Sequence, residues 1–189
     1  MKTICVFGSS SEIIARSYLD TAEELGRALA ARGCDVVYGA GRYGIMGAVS
    51  RGVRAENGTL IGVSPDFFVD MNVLVQDYGE LLLTPTMRER KAVMEDKSDA
   101  FVICAGGIGT LEEFFEVITL KQLGRHDKPI ILLNTNGFYD PMIDMMEQSV
   151  AQHFMSDKVH RLYSVAQSVD EVLEQLDSYK PFGYNKYKA

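Results

Sequence analysis

The 189-residue sequence has no apolar run approaching the ~20 residues of a membrane span, and Met1-Lys2-Thr3-Ile4 leads into a short apolar run without the long apolar core of a signal peptide. Neither membrane insertion nor secretion is expected, and a cytoplasmic protein is. There are only three cysteines, an odd number, widely spaced and outside any CxxC pattern. That excludes a disulfide framework; Cys5, Cys34 and Cys104 each lie in or beside an apolar run and are expected as buried thiols. Basic residues are outnumbered 19 to 26, and the net charge of −7 argues against non-specific binding to nucleic acid or anionic lipid. Any anionic ligand must then be held by a local site. His126, His153 and His160 are scattered without metal-ligand spacing, so no metal is expected, and no nucleophile elbow supports Ser/His/Asp catalysis. Repeats, low-complexity stretches and Pro/Gly-rich linkers are also missing. The economical reading is one domain over residues 1–180 and a short C-terminal tail over 181–189, surface-lying or frayed.

What the chain does have is 47% hydrophobic and 24% charged residues, the composition of a globular protein long enough to bury a core. Apolar runs of four to six residues alternate with longer segments of helical period. Strands are predicted at 4–7, 35–38, 60–63, 80–83, 100–104, 130–134 and 162–165. Helices are predicted at 11–32, 44–56, 86–97, 110–124, 139–153 and 168–178. In the first helix Ile14, Tyr18, Ala22, Leu25 and Leu29 step by three or four, Ser9 and Glu12 have capping-box spacing, and Gly33 provides the stop. Phe101-Val102-Ile103-Cys104 and Ile130-Ile131-Leu132-Leu133 do not alternate, as expected of strands covered on both faces. The expected fold is α/β: a Rossmann-like three-layer sandwich, a parallel β-sheet with helices on both faces.

Ligands of such sheets collect beyond the carboxyl ends of the strands, and three small-residue loops fall there. Gly8-Ser9-Ser10-Ser11 could take a phosphate or simply cap a helix. Gly39-Ala40-Gly41-Arg42-Tyr43-Gly44 satisfies GxGxxG, but it follows the second strand and lacks the acidic ribose hook of a dinucleotide site. It reads either as a glycine-permitted turn or, better, as the lining of a mononucleotide pocket. Ala105-Gly106-Gly107-Ile108-Gly109-Thr110, followed by Leu111-Glu112-Glu113, is the most informative. Its glycines let the backbone approach an oxyanion, Thr110 can donate to phosphate, and the helix N-terminus adds partial positive charge. There is no GK[ST] ending, so a phosphomonoester is a better guess than a triphosphate.

Charge then appears where a helix should be apolar. From Pro85 onward, Met87, Arg90, Lys91 and Met94 fall on one helical face. If that face turns inward its cations need anionic partners, a ligand phosphate or the carboxylates at 112–113; otherwise the buried stripe is Ala92, Val93 and Met94 and the cations reach water. Glu112 and Glu113 could merely complement the helix dipole. Taken together, a phosphate cradle, an arginine and a carboxylate suit glycosidic cleavage, in which a fixed carboxylate stabilises oxocarbenium character or positions a water.

Gly106-Gly107-Ile108-Gly109-Thr110-Leu111-Glu112-Glu113 resembles the PGGxGTxxE signature, and Met87-Arg88-Glu89-Arg90-Lys91-Ala92-Val93-Met94 the MHERKxxM segment, of the LOG ("lonely guy") proteins. These are cytokinin riboside 5′-monophosphate phosphoribohydrolases, a family earlier mislabelled lysine decarboxylases. The resemblance runs from about Ile4 to about Val172. It implies a cofactor-free homodimer or larger assembly that hydrolyses AMP or N6-modified AMP to the free base and ribose 5-phosphate. By motif position it makes Arg90 and Glu113 the catalytic pair and puts Lys91, Glu112 and Thr119 in the nucleotide site. Gly107, Gly109 and Thr110 would hold phosphate; Gly106, Ile108, Gly8, Ser9 and Gly41 are further candidate substrate-binding residues. Ala105 stands for the usual proline, Arg88 for histidine, and Asn72 near a position where relatives often carry glutamate, departures that bear on substrate identity more than on fold. The competing reading is a non-catalytic carrier or sensor of a nucleotide-like or pterin-like ligand. A pyridoxal-phosphate decarboxylase is disfavoured, since no lysine has a context suggesting a Schiff base.

Overall fold

A computed structural model describes residues 2–183; Met1 and residues 184–189 of the tail lie outside the described residues. Seven parallel strands form one sheet in the order β4-β3-β2-β1-β5-β6-β7. They are β1 (Thr3–Phe7), β2 (Asp35–Tyr38), β3 (Leu60–Pro65), β4 (Glu80–Thr84), β5 (Ala100–Ile103), β6 (Ile130–Leu133) and β7 (Ser164–Ala166). The connecting helices are α1 (Arg16–Ala31), α2 (Gly44–Ala55), α3 (Met87–Lys97), α4 (Ile108–Gln122), α5 (Asp140–Ala151) and α6 (Val169–Ser178).

Period-two alternation along fully buried strands divides the core in two. Ile4, Val6, Val36, Tyr38, Val102 and Leu133 point to one side, under residues of α1, α2 and α6 such as Leu25, Val49 and Leu173. Cys5, Phe7, Val37, Phe101, Ile103 and Leu132 point to the other, under Met94, Phe114, Val117 and Met146 of α3, α4 and α5. Helices therefore cover both faces, the three-layer Rossmann-like sandwich expected. On the first side α1 and α2 cross closely: a Cβ at Gly52 would lie 2.1 Å from the carbonyl oxygen of Glu23.

The order reverses at β1, whose neighbours are β2 and β5, so the helices that follow β1 and β5 lie on opposite faces of the sheet and a crevice opens at the strands' carboxyl ends. This crevice explains the main departure from the sequence reading. α1 begins at Arg16, not near residue 11, and Ala15 caps it without a side-chain bond. Ser9 and Glu12 form no capping box; Ser9 Oγ instead accepts from the Ser11 amide at 3.0 Å. Tyr18, Ala22, Leu25 and Leu29 do face the core from α1 and Ile14 packs there just ahead of it, whereas Gly8 to Ser11 line the crevice. Gly33, at φ +72, does end α1 as expected. Leu162 is buried but lies at the end of a 3-10 turn (Asp157–Arg161), and β7 starts two residues later.

Cys5 and Cys104 are buried free thiols, while Cys34 is only half-buried. No helix among the described residues is long and apolar enough to cross a membrane. The described part of the tail lies on the surface, with the Gly183 amide donating to Asp127 Oδ2 at 2.6 Å.

Candidate active site

Three small-residue loops meet at one residue. The Ser9 amide donates to the Ala105 carbonyl (3.1 Å), and the Ser9 carbonyl accepts from the Ile45 amide (2.8 Å), one of the otherwise unpaired donors at the start of α2. Gly44 permits this approach, being at φ +59 with a would-be Cβ 2.6 Å from the Ser9 carbonyl oxygen. A fourth segment is clasped to the second loop. Arg42 N–H donates to Val73 O (2.9 Å) and Val75 N–H to Ala40 O (2.8 Å), while Arg42 Nη1 reaches Asn72 Oδ1 at 3.0 Å.

These loops surround a cavity of about 700 Å³, well within the range of small-molecule sites. One wall is polar: Gly8 to Ser11, Gly39, Gly41, and Gly107 to Thr110 at the N-terminus of α4. Another is apolar, formed by Met46, Pro65, Phe68, Val73, Leu74 and Met87. Arg90 and Glu113 lie on the wall between α3 and α4, each more than nine-tenths buried. Arg90 Nη1 donates to Glu113 Oε1 at 2.7 Å, and Arg90 Nε donates to the Val63 carbonyl at 3.2 Å.

The charged stripe of α3 thus turns inward: Arg90, Lys91 and Met94 are buried, whereas Ala92 is exposed. Thr86 starts the helix, its hydroxyl accepting from the Glu89 amide. Lys91 has its own anions, pairing with Glu112 and, at 2.5 Å, with Glu116. Burial alone would lower the Lys91 pKa, but the hydrogen bonds and charges of these two glutamates outweigh it and hold the ammonium above its ordinary range. Burial pushes Glu113 above the usual carboxylate range, and the Arg90 guanidinium works in the opposite sense. Glu95, on the far end of α3, is raised to about 7 by desolvation and by the charge of Glu116.

Of the residues singled out in the sequence, Gly8, Ser9, Gly41, Arg90, Gly107, Ile108, Gly109, Thr110 and Glu113 are brought together on the cavity wall. Ile108 stands at its rim, 87% exposed. Gly106 lies just behind: a Cβ there would meet Thr110 Oγ1 at 2.2 Å, so its bareness lets that hydroxyl fold against the loop. Lys91 and Glu112 form their pair off the wall, and Thr119 is exposed farther along α4, also off the wall. Sequence reasoning missed the apolar wall. Its signal was Asp66-Phe67-Phe68-Val69-Asp70-Met71, an apolar-rich segment between strands that forms a 3-10 turn carrying Phe68.

A buried lysine and a half-buried histidine sit away from this cavity. Lys121 Nζ donates to the Lys128 carbonyl and to Tyr179 Oη, both at 2.8 Å, and burial lowers its pKa to about 8. The ring of His126 contacts the Val117 carbonyl at 2.9 Å, and burial lowers its pKa to about 4, which keeps it neutral. No group of three or more His, Cys, Asp or Glu able to hold a metal occurs among the described residues.

A family model described as "possible lysine decarboxylase" matches residues 46–176. A rice (Oryza sativa subsp. japonica) cytokinin riboside 5′-monophosphate phosphoribohydrolase is 41% identical over 180 residues, covering 95% of this chain and 74% of the relative. An Arabidopsis thaliana protein of the same name is 38% identical, covering 95% and 79%. Among solved structures, the molybdenum cofactor binding protein of Rippkaea orientalis superposes with a TM-score of 0.71 at 22% identity, covering 94% of this chain and 96% of that one. At that identity the likeness speaks to fold alone.

Proposed function

The chain belongs to the LOG family of cytokinin riboside 5′-monophosphate phosphoribohydrolases, and from that premise we propose that it hydrolyses the N-glycosidic bond of AMP or an N6-modified AMP, releasing the base and ribose 5-phosphate. The observation that carries the reading is the buried Arg90–Glu113 pair on the cavity wall beside the N-terminus of α4. The free amides at Gly107 to Thr110, with the helix dipole behind them, suit a phosphate. A ribose bound there passes over Glu113, and the base extends toward the apolar wall.

Cleavage sends the bonding electron pair out with the base and leaves positive charge on the sugar. The Glu113 carboxylate faces that charge and stabilises it more than it stabilises the neutral ground state. A water then adds its hydroxyl to C1′, and its proton goes to the departing base through Glu113 or solvent. Arg90 opposes the effect of burial on Glu113, favouring its ionised form, and fixes its direction. A carrier of an anionic ligand has no use for a buried carboxylate on its wall, since that charge weakens binding. A lysine that forms a Schiff base would have to reach the cavity, and neither Lys91 nor Lys121 lies on its wall.

The protein acts in the cytosol as an assembly of two or more copies, a reading supported by its free thiols and by the exposed Ile13 and Ile108. Incubation with AMP and with isopentenyladenosine monophosphate, followed by chromatography for base and ribose 5-phosphate, tests the reaction. Folded protein that releases no base from any nucleoside monophosphate rejects it. Light scattering tests the assembly, and a monomer at working concentration rejects that part.

A further inference from the structure

The loop after β2 presents three glycines, and Gly44 is explained by its positive φ. Gly39 is not, for its φ lies outside the left-handed region. An alanine would meet no conformational obstacle there, so what the position requires is space.

A Cβ at Gly39 would lie 2.3 Å from Arg90 Nη2 and 3.4 Å from Arg90 Cζ; its other close neighbour is Met46 Sδ at 2.9 Å. Real Cβ atoms do not make contacts this short, so a side chain must give way. Met46 is unbranched, faces the cavity and can swing into it. Arg90 cannot swing freely, because its Nε is spent on the Val63 carbonyl and its Nη1 on Glu113. The guanidinium is thus held along two edges by hydrogen bonds, and its third corner is backed by bare Cα.

We propose that Gly39 is a positioning residue for Arg90: its missing side chain leaves the space in which the guanidinium lies while bonded to Glu113. The larger of the two overlaps falls on Arg90, the side chain with less freedom, so a methyl group at position 39 acts on the Arg90–Glu113 pair. The structural half of this inference stands alone; its catalytic half rests on the phosphoribohydrolase reading.

A crystal structure of the Gly39→Ala variant reads the structural half without turnover. The expected result is an Arg90 Nη1 to Glu113 distance beyond 4.0 Å. Retention of that contact, with Met46 moved instead, overturns the proposal. In solution, Gly39→Ala shifts the unfolding equilibrium about tenfold in the wild-type background and less than about twofold in an Arg90→Ala background. Equal shifts in both overturn it. If Gly39→Ala fails to fold, recovery of folding on adding Arg90→Ala supports the proposal and continued failure overturns it. In the catalytic half, kcat for AMP falls about 100-fold with KM within about twofold, and the acid limb of the pH profile moves up because Glu113 loses its counter-charge. An unchanged kcat or acid limb overturns that half. Absence of base release by the wild-type protein rejects the function instead, and the crystallographic result on Gly39 is unaffected.

Discussion

Replacing Arg90 by methionine removes one charge of a buried pair and keeps most of the side-chain volume. Breaking such a pair costs about 3–5 kcal/mol when the orphaned charge is sealed from water. Here Glu113 borders an open cavity, so solvent recovers part of that cost and about 2 kcal/mol is expected. Removing both charges, as Arg90→Met with Glu113→Leu, leaves no orphan, and the double variant should return to within about 1 kcal/mol of the parent. Neither variant should retain turnover, with losses of about 10³-fold or more. pH separates the two effects further. Burial already raises Glu113, and the loss of Arg90 raises it more. An acid raised in the folded state contributes stability that is present below its unfolded pKa and lost as pH rises through the folded one. The deficit of Arg90→Met should therefore be largest near pH 8 and shrink toward the unperturbed carboxylate value of 4.5. Urea unfolding of the parent and three variants at both ends of this range is the assay. If Arg90→Met costs under about 0.5 kcal/mol, or if the double variant is as unstable as the two singles summed, the pair is not the coupled unit described.

Glu113→Gln keeps the shape of the site and removes the charge that, on the proposed reading, faces the sugar. Base release should fall about 10³-fold while calorimetric binding of ribose 5-phosphate stays within about threefold, and unchanged turnover rejects its role. Glu95, raised to about 7 from 4.5, destabilises the fold as pH climbs through that interval, so Glu95→Gln should add about 1 kcal/mol at pH 8, after allowing for its partial exposure, and nothing below pH 4.5. Equal effects at both pH values would remove the electrostatic explanation. Gly52→Ala gains about 1 kcal/mol of helix propensity but forces a methyl group against the Glu23 carbonyl, and overpacking should win by about 2 kcal/mol, lowering Tm by about 5 °C. A higher Tm would show that the two helices separate easily.

Strands were legible where burial on both faces wrote continuous apolar runs, as in β5 and β6. Charge on the inward face of α3 was legible because it violates the helical pattern, and its anionic partners follow from the cost of leaving it alone. What the sequence hid was of two kinds. Ser9 imitates a helix cap because capping and lining a cavity use the same small polar residues, and the exposed Glu12 completes the spacing without making the bond. The apolar wall was hidden because Phe68, Val73 and Leu74 belong to a connection whose shape depends on backbone bonds to Ala40 and Arg42, some thirty residues earlier, and no local period records such a bond. Thr119 matched a family position, yet a motif match carries no orientation, and its side of α4 turns away from the crevice.

The two backbone bonds of Ser9 give the mouth of the crevice a single hub. Because they use the amide and the carbonyl, these two bonds can be made by any residue with an N–H at this position, while the bond from the Ser11 amide depends on the Ser9 hydroxyl. Proline has no N–H, and would free the loops after β1 and β5 from each other in one step. Movement of any one rim segment should be passed to the other two through this residue, so that, on the proposed reading, a phosphate bound at the start of α4 would stiffen the far side of the mouth as well.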